Sequence, residues 1–104
     1  MDSRNAILAL IKDRVQQVVP GAAVFLFGSR VYGIPTEESD WDILVLTRQP
    51  VSSELKKNIH SILFPVSVQI SAFINTLILQ DTEWKDNPAY YSLHQSVDGR
   101  MIGV

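Results

Sequence analysis

The 104 residues suffice for one small domain with a single core, because a chain of this size buries about two-thirds of its unfolded surface. A composition of 46% hydrophobic and 19% charged residues excludes a disordered segment, and the absence of cysteine excludes both a disulfide framework and a thiolate metal site. The net charge of −2, with nine basic residues scattered along the chain, argues against a protein that grips nucleic acid by general phosphate neutralisation.

The apolar runs Ala6 to Ile11 and Ala22 to Phe27 are too short to span a bilayer. Met1-Asp2-Ser3-Arg4-Asn5 lacks the basic-then-apolar pattern of a signal peptide, so a cytoplasmic protein without membrane attachment is expected. In chain order, residues 3–19 predict an amphipathic helix. Ile7, Leu8, Ile11, Val15 and Val18 recur at helical spacing, Ser3 stands at the N-cap, and Pro20-Gly21 stops it. Ala22 to Phe27 predicts a buried strand that ends at Gly28-Ser29. Residues 29–39, with Gly33, Pro35, Thr36 and Ser39, predict an irregular loop, and Trp41 to Thr47 a second strand.

After Pro50, a helix over 53–64 is predicted, capped by Ser52 or Ser53, with Leu55, Ile59, Ile62 and Leu63 as its apolar stripe. Val66 to Ile74 alternates Val66, Val68, Ile70 and Ala72 with Ser67, Gln69 and Ser71, the period of a strand with one polar face. Residues 75–80 are then expected to begin a helix, and a final helix over 88–97 to end at Asp98-Gly99. The order α-β-loop-β-α-β-α predicts one domain over 1–104, of α/β (α+β) class, with a small mixed sheet flanked by helices.

One stretch carries chemistry. Phe25-Leu26-Phe27-Gly28-Ser29-Arg30 is followed, after a spacer, by Asp40-Trp41-Asp42-Ile43-Leu44-Val45. Gly28 has no Cβ and lets the backbone approach a phosphate closely. The hydroxyl and N–H of Ser29 both donate to phosphate oxygens, and Arg30 adds a charged fork. Asp40 and Asp42, two apart at the start of a strand, point to one face, while Trp41 and Ile43 point to the core. Two adjacent carboxylates repel, and Mg²⁺, which is held by one or two carboxylates plus substrate phosphates, resolves that repulsion. By chance, such a Gly-Ser and Asp-x-Asp pair at this spacing arises in about 1% of chains of this length or fewer.

These residues resemble the signature of the DNA polymerase beta-type nucleotidyltransferase superfamily. Within it, Gly28-Ser29-Arg30-x-x-Gly33 followed by Ser39-Asp40-x-Asp42 is similar to the small, stand-alone minimal nucleotidyltransferases. The resemblance implies a nucleotidyltransferase-like fold, binding of a nucleoside triphosphate (ATP first) with Mg²⁺ or Mn²⁺, and transfer of a nucleoside monophosphate to a hydroxyl. It also implies an α-helical HEPN-type protein partner, with this chain as the antitoxin half of the pair; the apolar close Met101-Ile102-Gly103-Val104 adds a homo-oligomer as the alternative.

The family carries a third acid on a later strand, as metal ligand and proton acceptor. On the strand expected at 66–74 the polar face has no carboxylate, and Gln69 takes that place as a metal ligand beside Asp40 and Asp42. A glutamine offers a carbonyl oxygen but no base near neutral pH. A catalytically weak nucleotidyltransferase-fold module that binds a partner is therefore the second reading; a base would have to come from Asp81, Glu83 or a partner chain. The remaining candidates favour structural roles. His60 and His94 have no second ligand at metal spacing, Trp84, Tyr90 and Tyr91 fit a core or interface, and Glu37-Glu38 fits a solvated loop tip. Ser29 lacks the elbow of a Ser-His-Asp hydrolase.

Overall fold

Helix α1, Arg4–Val18, turns Leu8, Ile11 and Val15 inward, the 3.6-residue stripe expected of it. It stops where Pro20 lacks an N–H and Gly21 adopts φ +85°, a left-handed conformation that any Cβ would strain even though the space around it is open. The computed structural model describes residues 4–27, 40–86 and 102–103. The expected helix over 88–97, with Tyr90, Tyr91, His94 and Asp98-Gly99, lies outside these residues, as do Ser3, the loop over 29–39, Met101 and Val104.

Strands β1 (Ala23–Phe27) and β2 (Trp41–Thr47) pair antiparallel, close to the spans read from the sequence. Inside β2, Thr47 is fully buried, and its hydroxyl donates to the Gln49 carbonyl at 2.6 Å, which turns the chain out of the sheet. Helix α2 then runs from Ser53 to Ile70, capped by Ser52, whose Oγ accepts from the Leu55 N–H at 3.0 Å. Strand β3 (Ile74–Gln80) lies parallel to β2, completing a β-α-β unit, and the short helix α3 (Asp81–Asp86) follows at once. The two residues of β4, Ile102–Gly103, pair antiparallel with β1 opposite Leu26 and Phe25. The sheet order is β3-β2-β1-β4, a mixed sheet flanked by helices in an α+β arrangement.

Two sequence expectations are corrected here. The strand expected over 66–74 is the last turn and a half of α2 and the turn that follows it, and the helix expected to begin at 75–80 is β3. Pro65 lies inside the helix, where it removes one helical hydrogen bond. The helix continues because Leu55, Ile59, Leu63 and Val66 form one buried stripe across the proline, and Ile70 extends it. Val68 and Gln69, by contrast, are exposed. Residues four apart satisfy a period of 2 as well as a period of 3.6, so Val66 and Ile70 fit both patterns. The helix ends at Ser71 in the left-handed region, φ 56° and ψ 41°, with Ser71 N–H donating to Val68 and Ala72 N–H to Ser67.

The two faces of the sheet differ. Val24, Leu26, Trp41, Ile43, Val45 and Ile78 pack beneath α1 and α2 in the main core. On the other face Leu44 and Leu79 meet Trp84 of α3, with Phe25, Leu46 and Leu77 at the margin. Trp84 thus has the structural role expected of it.

Candidate active site at one end of the sheet

Alternation along β2 decides where the carboxylates stand. Trp41, Ile43 and Val45 are buried under the helices, so Asp42 falls on the second face with Leu44 and Leu46. Asp40, just before the strand, is exposed, and Asp42 is half-buried. In register, Asp42 stands opposite Phe27, the last residue of β1, on one side and opposite Asn75, the second residue of β3, on the other. The site therefore occupies the end of the sheet where β1 finishes and β2 and β3 begin. The Leu44–Leu79–Trp84 cluster forms an apolar floor further along the same face.

The side chain that reaches the aspartates is that of Asn75. Its Nδ2 donates to Asp40 Oδ2 at 3.0 Å and to Asp42 Oδ1 at 3.4 Å. Both carboxylates thus converge on one amide, the arrangement that the shared-face argument required. Three anchors fix the start of β3 so that Asn75 arrives there. The Trp41 N–H donates to the Phe73 carbonyl at 2.9 Å, the turn at Ser71 holds the helix end, and Thr76 Oγ1, on the opposite face, is hydrogen-bonded to His60 Nε2 of α2 at 2.8 Å. His60 thus has a structural partner.

Gln69 is corrected accordingly. It belongs to α2 and is exposed, and the strand that was to carry it to the metal site does not exist; the neighbouring position belongs to Asn75. Asp81 and Glu83 are displaced as well. Both lie in the helix that follows the far end of β3, and Asp81, the first of them, stands six residues beyond Asn75, a distance of about 20 Å at 3.3 Å per strand residue. Among the described residues, no third Asp, Glu, His or Cys joins the two aspartates in a metal-sized group. Gly28, Ser29 and Arg30 lie outside the described residues; what the structure gives is that Phe27, which precedes Gly28, pairs with Asp42.

Asn75 could have been found from the sequence. The Ser52 cap and the 55-59-63-66-70 stripe define a helix through Ile70. The next strand must then begin near residue 74, and its first polar residue on the aspartate face is Asn75.

The α+β arrangement on a small mixed sheet is consistent with a nucleotidyltransferase fold. The family described as "Nucleotidyltransferase domain" matches over residues 8–86, and the chain belongs to that family. The chain is also similar to a probable protein adenylyltransferase, MntA, of Haemophilus influenzae, with 37% identity over 51 residues. That stretch covers 49% of this chain and 45% of the relative.

The donor set suits a divalent cation. The two carboxylates are hard oxygen ligands of the kind Mg²⁺ or Mn²⁺ takes, and the amide of Asn75 turns its Nδ2 toward both. Among the described residues no helix is long and apolar enough to cross a membrane.

Proposed function

We propose that this chain is a single nucleotidyltransferase domain that binds a nucleoside triphosphate, ATP first, and transfers its nucleoside monophosphate to a hydroxyl on a protein acceptor. The observation that carries this reading is the convergence of Asp40 and Asp42 beside the end of β1, in a chain of the nucleotidyltransferase family. The choice of an adenylyl group and a protein acceptor is supported by the likeness to the Haemophilus influenzae relative, a probable protein adenylyltransferase.

In this reading Asp40 and Asp42 hold Mg²⁺ or Mn²⁺, which supplies charge neutralisation on the phosphates. Gly28 and Ser29 hold the phosphate chain through backbone N–H groups and a hydroxyl, and Arg30 adds positive charge. The acceptor oxygen attacks the α-phosphorus, one P–O bond forms, and the bond to the departing pyrophosphate breaks. The hydroxyl proton passes to solvent water, since among the described residues no third carboxylate stands ready to receive it. Without a general base, transfer is expected to be slower by about 10²–10⁴.

That shortfall, together with a surface observation, supports a second reading: a weakly catalytic, cytoplasmic, partner-binding module of antitoxin type. Phe64, Val68 and Phe73 are all largely exposed and line one groove with Ser67, Ser71 and Ala72 at the α2–β3 turn. Such a patch fits a protein partner, a helical HEPN-type protein or a second copy of the chain.

Calorimetry of ATP binding with Mg²⁺ and with EDTA tests the first reading. Binding should require the cation and should be lost in Asp42→Asn; equally tight binding in EDTA would overturn it. Incubation with labelled ATP and candidate partner proteins then separates the readings, since a label on a protein supports transfer and stable association without label supports the module.

A further inference from the structure

The amide of Asn75 presents hydrogen, not oxygen, to the two aspartates. Nδ2 carries two hydrogens and lies 3.0 Å from Asp40 Oδ2 and 3.4 Å from Asp42 Oδ1, one for each carboxylate. Two carboxylates that share a face without a cation repel each other, and a donor between them offsets that repulsion. A primary amide has a property that no carboxylate has. A half-turn about its last side-chain torsion exchanges a donor for an acceptor of nearly the same shape. At this end of β3 the backbone is pinned by Trp41 and Phe73 and by the His60–Thr76 hydrogen bond, so a rotation can occur without movement of the strand.

We propose that Asn75 is a positioning residue with two settings. In the metal-free protein its NH₂ group bridges Asp40 and Asp42 and keeps them converged. When a divalent cation enters, the amide turns and its carbonyl oxygen faces the cation. This rests on the reading above that Asp40 and Asp42 hold the metal.

The charge balance gives the functional consequence. Two carboxylates match the charge of one divalent cation, and a neutral amide adds no further attraction. The cation must also displace an existing pair of hydrogen bonds. The site therefore takes Mg²⁺ weakly alone and well only together with a triphosphate, whose oxygens supply the missing anionic ligands. Asn75 thus makes the site selective for the metal–nucleotide complex over the free ion.

The test measures Mn²⁺ binding without nucleotide, Mn²⁺ binding with a non-hydrolysable ATP analogue, and Tm in EDTA, for the wild type, Asn75→Asp and Asn75→Ala. In the wild type the analogue should tighten Mn²⁺ binding by more than tenfold. Asn75→Asp should bind free Mn²⁺ at least tenfold more tightly and should melt lower in EDTA, because a third carboxylate replaces the bridge; Mn²⁺ should restore its Tm. Asn75→Ala should also melt lower in EDTA but should bind Mn²⁺ no better than the wild type. A purely structural asparagine would lower Tm in both variants without tightening free Mn²⁺ binding in Asn75→Asp, and that result overturns the proposal. So does an Asn75→Ala protein that matches the wild type in both Tm and Mn²⁺ affinity. The wild type provides a check free of substitution: the side-chain amide ¹⁵N–¹H resonances of Asn75 should shift when Mg²⁺ and the analogue are added, and unchanged resonances in a protein that binds the complex would overturn the rotation. If the wild type binds no metal–nucleotide complex at all, the proposed function fails instead, and Tm in EDTA still decides whether the bridge exists.

Discussion

The two faces of the sheet are built to different depths. Beneath α1 and α2, Ile43, Val45 and Leu26 are almost fully buried in a core that draws on both long helices. On the opposite face, Leu44, Leu79 and Trp84 form a small cluster under the six-residue α3, and beyond it stand Asp40 and Asp42. Charged groups are costly to bury without partners, so a pair of carboxylates is compatible only with the face that, among the described residues, is the more thinly covered. Among those residues the thick face holds most of the core, and the thin face carries the carboxylates.

The largest expected effect sharpens this contrast with two neighbouring residues. Ile43→Ala should cost about 4 kcal/mol and Leu44→Ala about 2, both within the usual span for such truncations, because Leu44, although equally buried, packs in the smaller of the two clusters among the described residues and so leaves a cavity with fewer walls. Urea denaturation measures both. Equal losses would mean that the second face is packed as firmly as the first.

A smaller effect tests the joint between the faces. Ser71 adopts a left-handed conformation where α2 turns toward β3, a position that glycine occupies without strain. Ser71→Gly should raise stability by about 0.5–1 kcal/mol in thermal melts. A loss would show that the serine makes a contact that outweighs its backbone strain.

The smallest effect belongs to the site. Asp42→Asn should change stability by no more than about 0.5 kcal/mol in EDTA, since one hydrogen bond to Asn75 weakens while a like-charge repulsion is removed. A loss above about 2 kcal/mol would make Asp42 a structural acceptor, and the thin face would then be contributing to stability as the thick face does.

The sequence made some of this legible and obscured the rest, for physical reasons. The stripe of Leu8, Ile11 and Val15 could be read because it matches the helical period only, and the short apolar strand from Trp41 to Thr47 because the loop residues before it and Gln49-Pro50 after it bound it too tightly for a helix. The facing of Asp42 away from Trp41 and Ile43 followed from strand alternation. The third position of the site was misplaced because Val66 and Ile70 fit two periods. Leu77-Ile78-Leu79 is apolar without alternation because both faces of β3 are covered there, and such a run does not distinguish a strand from a helix. Asn75 carries no charge to mark it, and its place could be reached only by first carrying the helix through Ile70; the register of β3 against β2 then sets it opposite Asp42.

That register has a consequence for folding. β2 lies between β1 and β3, and a slip of one residue against both neighbours would turn all its side chains over. Asp42 would then enter the helix-covered core, while Trp41, Ile43 and Val45 would leave it for the opposite face. A carboxylate forced into that core would cost several kcal/mol or have to take up a proton. The two aspartates therefore penalise the mispaired sheet far more than they affect the correct one. A variant with both changed to leucine should lose that discrimination, and a mixture of registers would appear as doubled backbone resonances along β2.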